Sequence, residues 1–342
     1  MGRGFSIGLM VFFGSASLLG VASAKPIRDD FSTQTPSSNW YVCHRPENTF
    51  EFGVKESDRT EMIATVAPPL DTVLALKEKH SGCLIGGEKY DDDKFERSEI
   101  WESNSVWEPM GTEIWYRFDM YVDKSVTPTT ERFVIGQWKE HGSPKDSPIA
   151  AQRFTGGTFS VSIEQDNTSA AHADEDDLCR VFIASQSSGE TPPWGHSSVD
   201  DAIRTKEFEA FRNVPRSFSH SLAIKPEVDT PLSSKDEGCA KDISVKTFGQ
   251  LPDPFGNWTT MVYHIRLSAD NLGLMAIWAN GKKVAQASGR IGFKGPLNGA
   301  TQYFKFGAYR NPAKFSTTTK LSRFVRSVDR ADVDPDGTLT PN

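Results

Sequence analysis

The stretch Gln302–Arg310 carries side chains suited to moving a proton on an anionic molecule. Its sequence QYFKFGAYR alternates apolar and polar residues, which predicts a β-strand with one face in a core. The other face then carries Tyr303, Lys305 and Tyr309, and Gly307 leaves space at the backbone. A phenol can donate or accept a proton, and an ammonium group binds carboxylates. We therefore predict acid–base chemistry here with Tyr309 as the first candidate, the alternative being an ordinary strand with a solvated polar face.

Two earlier segments carry further groups that fit an anionic substrate. Arg97 precedes Glu99 in ERSE, and its planar guanidinium group matches the shape of a carboxylate. Gln137 in VIGQW offers an amide donor, and Lys139 and His141 follow it closely. Histidine can act as a base or an acid near neutral pH. The alternative is structural: Arg97 then pairs only with Glu99, and Gln137 is an ordinary polar residue of a sheet.

Taken together, these segments resemble the heparin lyase and glucuronan lyase group of polysaccharide lyases. The resemblance is carried by YFKFGAYR at 303–310, by Asn257-Trp258 followed by GLMAIWANGKKV, by ERSE at 96–99 and by VIGQW at 134–138. It covers roughly residues 90–165 and 255–315. One departure is clear: Lys139 and Glu140 stand where the family usually has a histidine, and His141 comes two residues later.

The resemblance implies a jelly-roll fold with a concave groove and cleavage of a uronic-acid polysaccharide by β-elimination. That reaction needs a neutralised C5 carboxylate, a base for the C5 proton and an acid for the O4 leaving group. Arg97 and Gln137 are the candidates at the carboxylate. His141 and Tyr309 are then base and acid, or Tyr309 alone serves in both steps. The residues expected to contact the sugar chain are Lys305, Tyr303, Lys139 and Trp101.

Two other functions stay open. A glycoside hydrolase on a similar sandwich needs two carboxylates that face one glycosidic bond. Glu164 and Asp166 form such a pair, because residues two apart in a strand share a face. A non-catalytic carbohydrate-binding protein needs no acid or base at all. Both alternatives predict that no unsaturated sugar product is formed.

The remaining sequence predicts the strands that hold these residues in place. Thr112–Asp123 and Thr158–Glu164 alternate with a period of two, which is typical of half-buried strands. Leu274–Ala279 is followed by Asn280-Gly281, a strong signal for a tight hairpin. No stretch indicates a long amphipathic helix. We expect an all-β fold, a jelly-roll or concanavalin-like β-sandwich with a concave groove.

The N-terminus indicates export. Arg3 precedes the uncharged apolar run Ile7–Val21, and a small-residue cleavage site ends at Ala24. Because the run is shorter than the roughly 20 residues of a membrane-spanning helix, we interpret residues 1–24 as a signal peptide. We expect a secreted or periplasmic protein, with residues 25–330 forming one lyase-like sandwich.

The cysteines agree with an oxidising compartment. There are four, and none has the spacing of a zinc or redox motif. Three pairings are possible, and we favour Cys43–Cys83 and Cys179–Cys239 because each pair lies within one half of the chain.

The charge of the chain limits its partners. The formal net charge is −7, which disfavours a nucleic-acid partner and requires a local basic site for an anionic polysaccharide. We expect a monomer without a membrane partner and without a required cofactor.

A structural calcium is the one cofactor that the sequence suggests. Asp332, Asp334 and Asp336 match the first positions of an EF-hand-like loop. The competing prediction is that residues 331–342 form a solvated acidic tail.

Overall fold

The computed structural model describes most of residues 25–342. The described residues are 25–44, 48–68, 81–85, 88–91, 96–126, 133–142, 147–155, 158–166, 178–186, 220–223, 242–293, 300–310 and 313–341. The predicted signal peptide, Cys239 and most of the stretch between 168 and 256 lie outside the described residues.

Strands dominate the described residues. They are β1 Ile27–Asp29, β2 Trp40–His44, β3 Thr49–Glu56, β4 Arg59–Val66, β5 Ser81–Ile85, β6 Glu88–Asp91, β7 Glu96–Glu102, β8 Glu108–Pro109, β9 Glu113–Val122, β10 Phe133–His141, β11 Ala150–Thr155, β12 Thr158–Asp166, β13 Leu178–Ser185, β14 His220–Ala223, β15 Ile243–Thr247, β16 Thr259–Arg266, β17 Ser268–Ala279, β18 Lys282–Ile291, β19 Thr301–Arg310 and β20 Thr317–Ser327. A 3₁₀ turn spans Asn104–Val106, and one short helix, α1, spans Arg330–Val333.

The strands form two sheets that enclose one large core. One sheet runs in the order β15-β18-β17-β16-β9-β20-β4-β3, with β1 beside β20. The other runs in the order β14-β13-β12-β11-β10-β19-β7-β2-β5-β6, with β8 beside β19. The pairs are antiparallel apart from β13 with β14. The predicted all-β jelly-roll sandwich is confirmed.

Alternation explains why the sequence folds this way. In β9 the side chains of Ile114, Phe118 and Met120 are completely or almost completely buried in the core. In β19 the core side chains are Phe304 and Phe306. Each strand thereby buries one apolar face, as the period of two predicts.

The predicted hairpin is also confirmed. β17 ends at Ala279 and β18 begins at Lys282. Asn280 and Gly281 both adopt positive φ, 49° and 78°, which a two-residue turn of type I′ requires.

The C-terminal segment is anchored to the sheet, although most of its residues are exposed as the sequence predicts for an acidic tail. Val333 and Leu339 pack on Trp115 and Trp278, on the face of the nine-stranded sheet that is turned away from the core. The indole of Trp278 donates to the carbonyl of Thr340 at 3.0 Å. Apolar side chains on both partners make this segment part of the fold.

The calcium prediction for Asp332, Asp334 and Asp336 needs correction. Asp332 pairs with Arg28 at 2.9 Å. Asp334 pairs with Arg330 and accepts the backbone N–H of Thr338. Within the described ranges, no group of three or more acidic, histidine or cysteine side chains could hold a metal ion. The carboxylate oxygens of Asp332 and Asp334 are thus engaged by hydrogen bonds and ion pairs within the protein.

Cysteine placement agrees in part with the predicted pairs. Cys43 lies directly opposite Cys83 in the register of β2 and β5. Cys43 and Cys179 are both disulfide-bonded.

Among the described residues, no helix is long and apolar enough to cross a membrane.

Candidate active site

The face of the eleven-stranded sheet that is turned away from the core collects almost all the residues singled out in the sequence. We call it the site face. Its polar members are Arg97, Glu99 and Trp101 from β7; Tyr303, Lys305 and Tyr309 from β19; Gln137, Lys139 and His141 from β10; Arg153 from β11; Ser162 and Glu164 from β12; and Arg180 from β13. The alternate residues of these strands fill the core.

Glu99 is the centre of the first group of contacts on this face. Its carboxylate is fully buried and lies 3.1 Å from Nε of Arg97. The amide of Gln137 donates to it at 2.5 Å, and the indole of Trp101 donates at 3.4 Å. A role for Glu99 beyond pairing with Arg97 was not predicted from the sequence. The period-two pattern Arg97-x-Glu99-x-Trp101 was the available signal, because it places all three side chains on one face.

Gly307 serves a different purpose from the one predicted. It lies opposite Glu99, and a Cβ at this position would come within 2.1 Å of the carbonyl oxygen of Ser98. Its φ is 149°, a conformation that favours glycine. The space at Gly307 is therefore filled by the backbone of β7, and not by a bound molecule.

Tyr309 lies at one end of the site face, in a partly apolar setting. Its ring packs with Val134 and Ala151 and is 7% exposed. The guanidinium carbon of Arg97 lies 4.7 Å from the ring centroid. This geometry is a cation–π contact, in which the ring supports Arg97.

Tyr303 lies among more charged and aromatic groups. It is directly opposite Lys139 in the register of β10 and β19. Trp107 stacks on it with 4.9 Å between ring centroids. Nζ of Lys305 is 5.7 Å from its ring, and the ring of His141 is 4.7 Å from that of Trp107.

The predicted partnership of His141 with Tyr309 is wrong. His141 is exposed and lies opposite Thr301, whereas Tyr309 lies opposite Val134. Eight residues of extended strand separate Thr301 from Tyr309, which is about 26 Å. Two groups so far apart cannot act on one glycosidic bond. His141 is instead near Tyr303, at the other end of the strand.

Trp101 supports Lys305. It is 1% exposed, and the ammonium nitrogen of Lys305 lies 3.1 Å from its ring centroid. Gln137 is the cross-strand neighbour of Lys305 on the other side. An ammonium group held over an aromatic ring is a suitable binding group for an anion.

A second buried glutamate organises the far side of the site face. Glu164 lies 2.5 Å from Arg153 and 2.8 Å from Arg180, and it accepts a hydrogen bond from Ser147. Burial opposes its ionisation, but the two arginines prevail and hold the pKa of Glu164 below its usual value. Glu164 therefore stays charged and cannot protonate a leaving group. The Glu164–Asp166 pair does not fit the acid of a hydrolase.

The low exposure of the site residues affects their chemistry. Tyr303, Lys139 and Lys305 are each exposed by less than one tenth. Charges that are shielded from water interact more strongly than they do at an open surface. Ammonium groups placed here can stabilise negative charge that develops during a reaction.

Three solved structures similar to this chain are all described as lyases. A chain from the fungus Trichoderma reesei described as an endo-β-1,4-glucuronan lyase is 14% identical with a TM-score of 0.48, covering 87% of this chain and 95% of its own. An alginate lyase from Klebsiella pneumoniae is 11% identical with a TM-score of 0.41, and the match covers 87% of this chain and 98% of the lyase. An alginate lyase from Pseudomonas aeruginosa is 13% identical with a TM-score of 0.40, and the match covers 85% of this chain and 99% of the lyase.

At the level of sequence, no curated protein matches this chain significantly. The sequence profile of the family described as "Polysaccharide lyase" matches residues 72–325, which include the whole site face. Because this match spans most of the chain, the protein belongs to the polysaccharide lyase family.

Proposed function

We propose that this polysaccharide lyase cleaves a uronic-acid polysaccharide by β-elimination at a site centred on Tyr303 and Lys139. The observation that carries the proposal is their cross-strand pairing, with Gln137 and Lys305 as the next pair along the same two strands. These four side chains supply the three functions that the reaction needs within one patch of the site face.

The first function is neutralisation of the C5 carboxylate. Lys305 and Gln137 fit this role, because one brings a positive charge and the other an amide donor. Glu99 holds the Gln137 amide, and Trp101 holds the Lys305 ammonium group. Neutralising the carboxylate makes the C5 proton more acidic and stabilises the charge that builds up when the proton leaves.

The second and third functions are proton transfers. Lys139 and Lys305 supply two cations near Tyr303, which stabilise negative charge on its oxygen during the transfer. The Tyr303 phenolate takes the proton from C5, and the electron pair of that bond forms the C4–C5 double bond. The C4–O4 bond breaks, and the same phenol returns the proton to O4. One product carries an unsaturated uronate, and the other carries a new hydroxyl group.

Tyr309 has a supporting role in this proposal. It holds Arg97, and Arg97 together with Glu99 fixes the position of Gln137. The substrate is an anionic polyuronate, and the protein acts as a monomer in a secreted or periplasmic compartment. Disulfides Cys43–Cys83 and Cys179–Cys239 stabilise it there. The roles assigned above require no metal.

The experiment is an ultraviolet assay for the unsaturated product on glucuronan, alginate, pectate and heparin-type chains. Absorbance should rise with at least one of them, and Tyr303→Phe should abolish the rise. New reducing ends without an absorbance rise would indicate a hydrolase and refute the proposal. Binding of a polyuronate by the wild-type protein with no product would indicate a carbohydrate-binding protein instead.

A further inference from the structure

The far side of the site face carries a second set of basic groups, outside the reaction centre. Arg153 and Arg180 converge on the fully buried carboxylate of Glu164. Arg153 also donates to the hydroxyl of Ser162 at 2.8 Å, and Ser147 donates to the other oxygen of Glu164. The two guanidinium groups are therefore held in fixed positions by a buried anion.

These groups lie in line with the reaction centre. Tyr303 pairs with Lys139, whose neighbour Trp138 pairs with Ala150 of β11. The residue before Ala150, Ile149, accepts the backbone N–H of Glu164 at 2.7 Å, and Glu164 pairs with Arg180. This row crosses the sheet at right angles to its strands. Three strand spacings separate Lys139 from Arg180, a distance of about 14 Å between backbones. Only a chain of several sugars can reach both ends of the row.

The guanidinium groups of Arg153 and Arg180 are suited to bind a carboxylate. Two guanidinium groups share one carboxylate, and the pKa of that carboxyl is held below its usual value although burial opposes its ionisation. Glu164 therefore remains an anion that orients the arginines and does not titrate during turnover. Guanidinium groups fixed in this way lose little freedom when they bind a further carboxylate.

We propose that Arg153 and Arg180 form a distal subsite that binds the carboxylate of a second uronate, several sugars from the bond that is cleaved. This inference rests on the proposed function for its substrate class. The distal subsite makes the enzyme selective for long chains, because short oligosaccharides occupy the reaction centre without reaching Arg180.

The test compares the wild-type protein with Arg180→Gln on a long polyuronate and on a tetrasaccharide of the same uronate. KM for the polymer should rise by about tenfold, the value of one charge-assisted contact, while kcat is unchanged. The constants for the tetrasaccharide should stay within about twofold. Lys282→Gln, an exposed change on the opposite sheet, is the control and should alter neither.

A second variant distinguishes loss of the subsite from loss of protein stability. Removing Arg180 alone reduces the compensation of a buried carboxylate, which is destabilising. Arg180→Lys keeps a positive charge beside Glu164 but loses the planar fork that binds a second carboxylate, so it should show a polymer-specific rise in KM with a melting temperature close to that of the wild type. An unchanged polymer KM in both variants, or equal losses on polymer and tetrasaccharide, would overturn the subsite.

Affinity electrophoresis in gels containing the polymer separates this inference from the proposed function, since it needs no turnover. If the wild-type protein forms no unsaturated product, the proposed function fails. In that case weaker retardation of Arg180→Gln than of Lys282→Gln still supports the distal site, and equal retardation refutes it.

Discussion

The side-chain amide of Gln137 donates a hydrogen bond to the carboxylate of Glu99 across the intervening strand β19, with 2.5 Å between Nε2 and Oε1. β7 and β10 lie on opposite sides of β19, so their backbones are about 9.6 Å apart. The residue of β19 opposite Glu99 is Gly307, which has no side chain to block the contact. One buried carboxylate thus fixes both Arg97 and Gln137.

Replacing this carboxylate tests its positioning role. Glu99→Gln keeps the shape but removes the charge that holds Arg97 and Gln137, so we expect kcat/KM to fall by about 10- to 100-fold. The loss should be mainly in kcat, while circular dichroism remains that of the wild type. Glu113→Gln, an exposed change on the other sheet, is the control and should keep full activity. Wild-type kcat for Glu99→Gln would show that Gln137 does not depend on Glu99.

The two tyrosines of β19 can be told apart by removing their hydroxyl groups one at a time. Tyr303→Phe should lower kcat by at least about 100-fold, because the proton carrier is lost. Tyr309→Phe keeps the ring that supports Arg97, and its kcat should stay within about tenfold of the wild type. Steady-state assays of the unsaturated product measure both. The reverse order of losses would restore Tyr309 as the catalytic residue.

Gly307 should tolerate no side chain. Gly307→Ala adds a Cβ within 2.1 Å of the Ser98 carbonyl oxygen at a φ of 149°, so we expect a loss of at least about 2 kcal/mol in the free energy of unfolding. Gly111→Ala is the matched control, because Gly111 also has positive φ but nothing lies within 4 Å of an added Cβ. Urea denaturation measures both. Equal losses in the two variants would show that backbone conformation alone matters at Gly307.

Glu140 should make stability depend on pH. Burial raises the pKa of Glu140 from 4.5 to about 7, with repulsion from Asp166 adding to the shift. Within the part of the chain that the structure describes, neither carboxyl oxygen has a hydrogen-bond partner. A raised folded-state pKa gives stability that is complete below 4.5 and is lost as the pH rises through about 7. We expect the loss to reach at most about 3 kcal/mol.

The variant Glu140→Gln removes this titration. Its urea midpoint should therefore change less between pH 5 and pH 8 than that of the wild type, and it should be the more stable protein at pH 8. A wild-type midpoint that does not fall over this range, or falls equally in the variant, would contradict the assignment.

Local pattern was sufficient for the strands and their faces. The alternation in β9, β12 and β19 predicted which side chains enter the core, and Asn280-Gly281 predicted the hairpin, because both features depend on neighbours a few residues apart. The same pattern placed Tyr303, Lys305 and Tyr309 on one face. It could not rank the two tyrosines, since their surroundings come from other strands.

The sequence by itself determined the all-β fold, the family and the shared face of Tyr303, Lys305 and Tyr309. Only the tertiary structure decided which of the candidate residues lie next to each other on the site face. Strand register put Lys139 beside Tyr303 and separated His141 from Tyr309, and it made Glu99 a shared partner of Arg97 and Gln137. The tertiary structure also packs the C-terminal segment onto Trp278. The physical reason is that side-chain alternation is a property of one strand, whereas register depends on contacts between residues far apart in the chain.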